Sequence, residues 1–343
     1  MKRKIVFSSV VFLLFITIWQ FELLSYGLSQ GFGQFSIIWK AKPIEEVYKD
    51  PAFPDSLKAR LKLIQEIKQF AFDSLGIKYS GNYSSIYDQK GKPLLWTLTA
   101  CKPFQLKAHE WKFPLIGSFS YKGFFNYDQA VAEEEIIRKE GFDTSIDEIA
   151  GWSTLGWFND PVLSDMLYRS PGSLANLIIH ELTHGTLYVK DNVDFNENLA
   201  SFVGDRGAIM FLEHKYGSAS KEYMQYQQGR IISDKYSALV LSSAERLDSL
   251  YNSFNNGLTR QEKIAKKKTV MDEITQDLRN FPGYSGKKNL HFEEELKKIN
   301  NTYFMDFKRY RKDQTYFEKE FITKFKSDFR SYLAYLKEKY PSI

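Results

Sequence analysis

The feature that most constrains this chain is a His-Glu-x-x-His pattern, His180-Glu181-Leu182-Thr183-His184, within a run that the apolar spacing predicts to be helical. Residues i and i+4 of a helix lie on one face about a turn apart, so His180 and His184 can aim two imidazoles at one point. A Zn²⁺ ion fits between two such ligands. Glu181 stands beside the first ligand, where a carboxylate can deprotonate a water molecule. The motif therefore predicts a catalytic zinc site, and two buried histidines without metal are the alternative.

A catalytic zinc site needs a third protein ligand and leaves its fourth position to water. Glu197 is the candidate, near the start of the next predicted helix, Phe195 to Tyr216. Twelve residues separate it from His184, enough for the chain to turn and bring a second helix alongside. The alternative role for Glu197 is the acidic partner in a capping box with Asp194 as N-cap. Competing ligands without comparable motif context are Asp191, Asp194, Asp205 and His214.

The N-terminus predicts attachment to a membrane. Lys2-Arg3-Lys4 precedes an apolar run from Ile5 to Trp19, which is the order of charges and apolar residues in a signal segment. Ser25-Tyr26-Gly27 offers a weak cleavage site, so a cleaved signal peptide is the alternative to the favoured uncleaved anchor. Positive residues stay on the cytoplasmic side, which predicts that the catalytic part lies outside the cytoplasm, on the periplasmic side.

Composition excludes some classes of protein. The single cysteine, Cys101, allows no disulfide within the chain and no cysteine-based zinc site, and it is predicted to be a small buried residue in a strand. The net charge of +5 is spread along the chain. Its one tight cluster, Lys266-Lys267-Lys268, is predicted to be a solvated helix face. With no nucleic-acid motif, the chain predicts no nucleic-acid partner.

The coarse pattern predicts an α+β, predominantly helical fold. Residues 79–125 alternate turn signals with β-rich runs, including Leu94 to Thr99 and Gly117 to Phe125, and predict a small, mostly antiparallel sheet. Asp147 to Thr154 is predicted to be a further strand, Val162 to Tyr168 a short helix, and Ser173 the N-cap of the His-Glu-x-x-His helix. After Ser218 the chain is predicted to be helical throughout. The predicted division is residues 1–25 as anchor or signal, 26–217 as catalytic core and 218–343 as a helical region packing on that core.

Several segments together resemble a bacterial family of zinc aminopeptidases. The first three are Ile178 to His184, Leu187-Tyr188-Val189 and Phe195 to Gly204; others are Gly151 to Pro161, Tyr121 to Phe125, Ala41 to Ile44, and Ile299-Asn300-Asn301 with Tyr310. More broadly the chain is similar to gluzincins, which bind zinc through two His and one Glu. The resemblance covers most of the chain after about Tyr26 and implies a zincin-like core and a peptide substrate. Two departures are Ser201, where well-known gluzincins carry Asp, and the lack of a cysteine after the apolar run, where many members look like lipoproteins.

The resemblance implies hydrolysis of a peptide bond with Glu181 as general base, and it leaves the other roles open. Ser201 lies one helical turn after Glu197, where it can orient a ligand or serve only for close packing. The candidate donors to the oxyanion, each also suited to packing, are Tyr121, Tyr188 and Tyr310. Asp160 is the candidate for binding the free amine of the substrate. The alternatives to an aminopeptidase are a membrane-tethered zinc endopeptidase and a non-catalytic helical scaffold with structural zinc or none.

Overall fold

A computed structural model describes residues 21–113, 117–149, 158–283 and 290–341. The helices are α1 (Phe21–Lys40), α2 (Ile44–Lys49), α3 (Asp55–Leu75), α4 (Tyr127–Lys139), α5 (Pro171–His184), α6 (Val193–Tyr216), α7 (Lys221–Asn252), α8 (Arg260–Arg279), α9 (Leu290–Lys298), α10 (Asn301–Arg311), α11 (Gln314–Phe325) and α12 (Phe329–Lys339). The strands are β1 (Lys42–Pro43), β2 (Ser85–Tyr87), β3 (Trp96–Cys101), β4 (Trp111–Phe113), β5 (Gly117–Phe119), β6 (Tyr121–Phe124), β7 (Asp143–Glu148) and β8 (Val162–Leu163). The predicted class, α+β and predominantly helical, is confirmed.

The described strands form three small sheets. β3 is central in an antiparallel sheet, with Leu98 opposite Lys122 of β6 and Ile146 of β7. β2 pairs antiparallel with β1 and parallel with β8, and β4 pairs antiparallel with β5. The β-rich segment 117–125 is therefore divided between strands of two different sheets. Cys101 is a free, buried thiol at the end of β3. The prediction of a small buried residue in a strand is therefore confirmed.

Of the two element predictions before the His-Glu-x-x-His helix, one is wrong in part and the other is tested only at its start. The predicted helix Val162 to Tyr168 begins as strand β8, because Val162 and Leu163 are buried and pair with Ile86 and Tyr87; only Ser164–Tyr168 is helical, as a 3₁₀ turn. The strand expected over Asp147 to Thr154 ends at Glu148. Residues 150–157, which carry the rest of that strand and most of the Gly151 to Pro161 segment, lie outside the described residues.

The apolar core joins elements that are far apart in the chain. Its largest cluster combines buried residues of α3, α5 and α6, such as Ile64, Ile179 and Phe211, with Phe317 of α11 and Tyr332 of α12. A second cluster lies among α7, α8 and α10, and a third lies under β3. The last two helices therefore pack on α6, where Phe202 contacts Phe317 of α11 and Tyr332 of α12. The division at residue 217 stays a prediction.

Two helices, α5 and α6, pack closely because α6 carries small residues where they meet. A Cβ added at Gly204 would lie 2.9 Å from the carbonyl oxygen of Asn176 and 3.2 Å from Cβ of His180. At Gly207 an added Cβ would lie 3.0 Å from Cδ1 of Ile179. Only hydrogen fits at these positions, so the two helix backbones approach each other closely. This approach places the motif residue His180 directly against α6.

The helix α1 packs on the core by one face. The Tyr26 hydroxyl donates to the carbonyl of Gly123 at 2.8 Å, and its ring stacks on Phe113. On the exposed face stand four large apolar side chains at helical spacing, Leu28, Phe32, Phe35 and Trp39. Among the helices in the described part of the chain, none has both the length and the apolar character to cross a membrane. The apolar run Ile5 to Trp19, on which the predicted anchor depends, lies outside the described residues.

Gly204→Ala is expected to lower the free energy of unfolding by about 1–3 kcal/mol, because the added methyl group must push α5 and α6 apart. The matched control is Gly229→Ala in α7, where an added Cβ has open space. That control should be neutral or stabilise by up to about 1 kcal/mol through its helix propensity. Urea denaturation monitored by circular dichroism measures the free energy of unfolding of both variants. Equal stability of the two would contradict the close contact of α5 and α6.

Candidate metal centre

The helix α5 places two histidines in its last turn. Its N-cap is Ser170, whose hydroxyl accepts from the backbone N–H of Ser173 at 3.3 Å, with Pro171 at the first helical position. The prediction of Ser173 as N-cap is therefore wrong by three residues, because Pro171 has a fixed φ suited to the first turn and no N–H to donate. The helix ends at His184, and Gly185 is its C-cap. His180 and His184 thus face the same side, with ring centroids 4.9 Å apart.

The helix α6 supplies the third group. Its N-cap is Asn192, whose side chain accepts from the backbone N–H of Phe195 at 3.2 Å. Asp194 is therefore inside the helix, and the capping-box alternative for Glu197 is wrong. The Glu197 carboxylate turns toward α5 instead, with Oε2 3.2 Å from Nε2 of His180 and 3.5 Å from Nε2 of His184.

The separations of these atoms fit a tetrahedral metal ion. The two Nε2 atoms of His180 and His184 are 3.2 Å apart, so all three separations within the group lie between 3.2 and 3.5 Å. Ligands that lie about 2.0–2.1 Å from a tetrahedral Zn²⁺ are about 3.3–3.4 Å from one another. Among the described residues, His180, His184 and Glu197 are the group of His, Cys, Asp and Glu side chains whose ligand atoms converge this closely.

Electrostatics keep the third group charged. Burial alone would raise the pKa of Glu197, but the charge of His184 and hydrogen bonds from both histidines hold that pKa well below its usual range. For His184 burial lowers the pKa, yet the neighbouring Glu197 carboxylate outweighs it and the net pKa is raised. Glu197 is therefore ionised at neutral pH, the state in which a carboxylate binds metal.

The neighbouring acid, Glu181, has the opposite behaviour. Burial raises the pKa of Glu181, against the lowering effect of the charges of His180 and His184. A carboxylate whose pKa moves up toward neutrality is better matched to taking up and releasing a proton near pH 7. Two acids on adjacent helices thus differ in electrostatic environment, one suited to binding and one to proton transfer.

The structure brings the three predicted tyrosines to this centre. The ring centroid of Tyr310 lies 6.4 Å from that of His180, and that of Tyr188 lies 6.0 Å from that of His184. Burial raises the pKa of Tyr188 to about 12, and the charge of Glu197 adds to the shift. Burial followed by the charge of Glu197 also raises the pKa values of Tyr121 and Tyr310. All three phenols are therefore protonated at neutral pH and able to donate a hydrogen bond.

The remaining predicted residues, Ser201, Asp160 and the competing ligands, lie outside the group of three converging side chains. Ser201 is buried in α6 one turn after Glu197. Asp160 is only 1% exposed, and its carboxylate accepts from the side chain of Asn82 at 3.3 Å. A carboxylate enclosed in this way cannot receive an amine from solvent, so the role predicted for Asp160 is not supported. Each competing ligand has other contacts: Asp191 with the backbone of Ser118, Asp194 with Arg309, Asp205 with Arg311, and His214 with the ring of Phe70.

Two asparagines beside Glu197, which the sequence did not single out, fix the segments that carry the tyrosines. Asn196 accepts from the N–H of Val189 and donates to its carbonyl, both at 2.8 Å, and so holds the segment that follows Tyr188. Asn198 donates to the carbonyls of Lys308 and Arg309, at 3.2 and 2.5 Å, and so holds the end of α10 next to Tyr310. The sequence shows that Asn196 and Asn198 flank Glu197, but it does not show which backbone groups they bond.

Fold and site together define a predominantly helical α+β protein with a centre of two histidines and one glutamate. The family described as “Putative aminopeptidase” matches residues 25–339, nearly the whole chain, and the protein belongs to that family. A search of curated proteins and a search of solved structures each found no match.

His180→Ala, His184→Ala and Glu197→Ala are each expected to reduce bound divalent metal from about one ion per chain to nearly none, because two ligands hold a metal ion far more weakly than three. Elemental analysis after dialysis against metal-free buffer measures this. The control is His214→Ala, since His214 lies against Phe70 and outside the group. Full metal retention by any of the three variants would contradict its role as a ligand.

Proposed function

We propose that this protein is a zinc-dependent aminopeptidase, with His180, His184 and Glu197 as the metal ligands and Glu181 as the general base. The observation that carries the proposal is the convergence of the three ligand atoms, which lie 3.2–3.5 Å from one another. Glu181 follows His180 directly in the sequence, and the chain belongs to the family described as “Putative aminopeptidase”. Two imidazole nitrogens and one carboxylate oxygen form a donor set typical of catalytic zinc, which leaves one position open.

The residues around the centre divide the chemistry among them. Zinc, when bound, supplies Lewis-acid chemistry, which makes water a better nucleophile at neutral pH and polarises the scissile carbonyl. Glu181 accepts the proton of the attacking water and later delivers it to the leaving amine, and its raised pKa suits both transfers. Tyr121, Tyr188 and Tyr310 are the candidates for the donor to the oxyanion that develops on the substrate. Ser201, buried on the helix of Glu197, is a candidate for orienting that ligand.

We further propose that residues 1–25 hold the protein at a membrane with its catalytic part on the periplasmic side. The support is the order of Lys2-Arg3-Lys4 and the apolar run from Ile5 to Trp19. The exposed apolar face of α1 follows directly in the chain.

Glu181→Gln is expected to lower kcat on a free peptide substrate by about 10²- to 10⁴-fold, because the amide cannot accept the proton of water. Zinc content should stay at the wild-type level, since Glu181 is not one of the three converging ligands. The matched control is Glu213→Gln, an exposed glutamate on α6 whose substitution should leave kcat unchanged.

The same assay separates the aminopeptidase from its alternatives. Wild-type protein should cleave leucine p-nitroanilide and fail to cleave its N-acetylated form. Cleavage of internal bonds in blocked peptides would establish an endopeptidase instead. If zinc were bound but neither the wild-type protein nor Glu181→Gln showed any turnover, the proposed chemistry would be excluded and a scaffold role would remain.

Removal of residues 1–25 is expected to move the protein from the carbonate-washed membrane pellet to the soluble fraction, because the apolar run is lost. Immunoblotting of fractions from cells expressing the full or shortened chain measures the change. Retained metal content in the shortened chain is the control for folding. Recovery of the full chain in the soluble fraction would contradict the anchor.

A further inference from the structure

A cavity lies between α7, α9 and α10, on the side of the metal centre where Tyr310 stands. Its volume is about 420 Å³, and its walls are mainly aromatic, from Tyr236, Phe292, Tyr303, Phe307 and Tyr310. A space of this size holds one large amino-acid side chain with room for adjoining backbone. Aromatic rings offer both apolar area and faces that attract a cation.

One residue, Tyr310, belongs to both the cavity and the metal centre. It lines the cavity, and its ring centroid is 6.4 Å from that of His180. The bonds from Asn198 to the carbonyls of Lys308 and Arg309 fix this end of α10 to the helix of Glu197. The cavity and the metal centre therefore share a wall residue, which places the cavity beside the position proposed for the scissile bond.

Two carboxylates also line the cavity, Glu295 of α9 and Asp306 of α10, and Asp306 is the one on the helix that carries Tyr310. Oδ1 of Asp306 accepts from Nη1 of Arg309 at 2.7 Å, yet the Asp306 side chain keeps 32% of its surface exposed. The positive charge of Arg309 is shared between two carboxylates, because Nε of Arg309 also lies 3.7 Å from Oδ1 of Asp194. Two carboxylates, of Asp306 and Asp194, therefore share a single guanidinium, and the charge of Asp147 also acts on Asp306.

These charges affect the protonation of Asp306. Burial raises the pKa of Asp306 to about 6, the guanidinium of Arg309 opposes this, and the charges of Asp147 and Asp194 add to the rise. The arginine that lines the cavity, Arg311, is bound to the buried Asp205 at 2.5 Å. An ammonium group entering the cavity would gain an acceptor in Asp306 and reduce the repulsion among the three acids.

We propose that this cavity binds an ammonium group of the peptide substrate, with Asp306 as its acceptor and the aromatic rings as the walls against which the terminal residue packs. The assignment rests on the proposed peptidase function. It gives the role of binding the substrate's ammonium group to Asp306, because Asp160 is enclosed. Two sources supply this chemistry, the free α-amine of the N-terminal residue and the side chain of a lysine.

Binding of small probes to the full chain tests the cavity independently of turnover. The probes are leucinamide, which carries only the α-amine, Nα-acetyl-lysinamide, which carries only the side-chain ammonium, and Nα-acetyl-leucinamide, which carries neither. Calorimetric titration should show binding of one or both ammonium probes and none of the neutral probe. Asp306→Asn should weaken the ammonium probes by about 10- to 100-fold, the usual effect of losing a charged partner.

The matched control is Asp194→Asn, which removes a carboxylate from the same guanidinium but does not line the cavity. It should change probe binding by less than about twofold, and Asp306→Glu, which keeps the charge, should retain part of the binding. A melting curve checks that each variant is folded. In the peptidase assay, Asp306→Asn should raise KM for the substrates that carry the bound ammonium and leave kcat and zinc content nearly unchanged.

The outcomes separate the two sources and the two proposals. Weaker binding of leucinamide alone assigns the α-amine, and weaker binding of Nα-acetyl-lysinamide alone assigns the lysine side chain. Equal effects of Asp306→Asn and Asp194→Asn, or equal binding of the neutral probe, would overturn the cavity assignment. A protein that binds the probes through Asp306 but lacks zinc or turnover would overturn the proposed function and leave the cavity in place.

Discussion

The close contact between α5 and α6 is the constraint on which the rest of the site depends. Gly204 has no room for a side chain against Asn176 and His180, so the helix that carries Glu197 lies directly beside the helix that carries the histidines. Had the interface been filled by larger side chains, the helices would stand further apart and the Glu197 carboxylate would no longer reach both imidazoles. Backbone packing, and not the motif alone, therefore sets the separations that a tetrahedral ion needs.

That contact also brings charged groups together in a buried place. An ionised carboxylate away from water is costly unless a positive partner compensates it, and here the partners are two imidazoles. Their effect is seen in the lowered pKa of Glu197 and the raised pKa of His184. A divalent cation at the same point would satisfy the carboxylate and leave both imidazoles neutral, as ligation requires. The arrangement is thus better suited to a metal ion than to a proton shared among three groups.

Local signals allowed the sequence to predict the centre, whereas distant contacts decided what it could not. The spacing of His180 and His184 follows from helix geometry, and Glu197 follows from its place early in the next helix. The enclosure of Asp160 could not be predicted, because it depends on Asn82, which is 78 residues away in the chain. Strand β8 was missed for the same reason, since Val162 and Leu163 pair with Ile86 and Tyr87. The capping box at Asp194 is absent because the helix begins two residues earlier, with Asn192 as its N-cap.

The run Asn196-Glu197-Asn198 explains how one turn of α6 organises the surroundings of the centre. Asn196 holds the backbone of Val189 behind Tyr188, Glu197 meets the histidines, and Asn198 holds the end of α10 behind Tyr310. Consecutive residues of a helix point about 100° apart, so three neighbours can reach three different segments. The two tyrosine-bearing segments are thereby fixed relative to the ligand and not only to the general core. Because α10 also forms a wall of the aromatic cavity, the same turn couples the position of the cavity to the position of the proposed metal ligands.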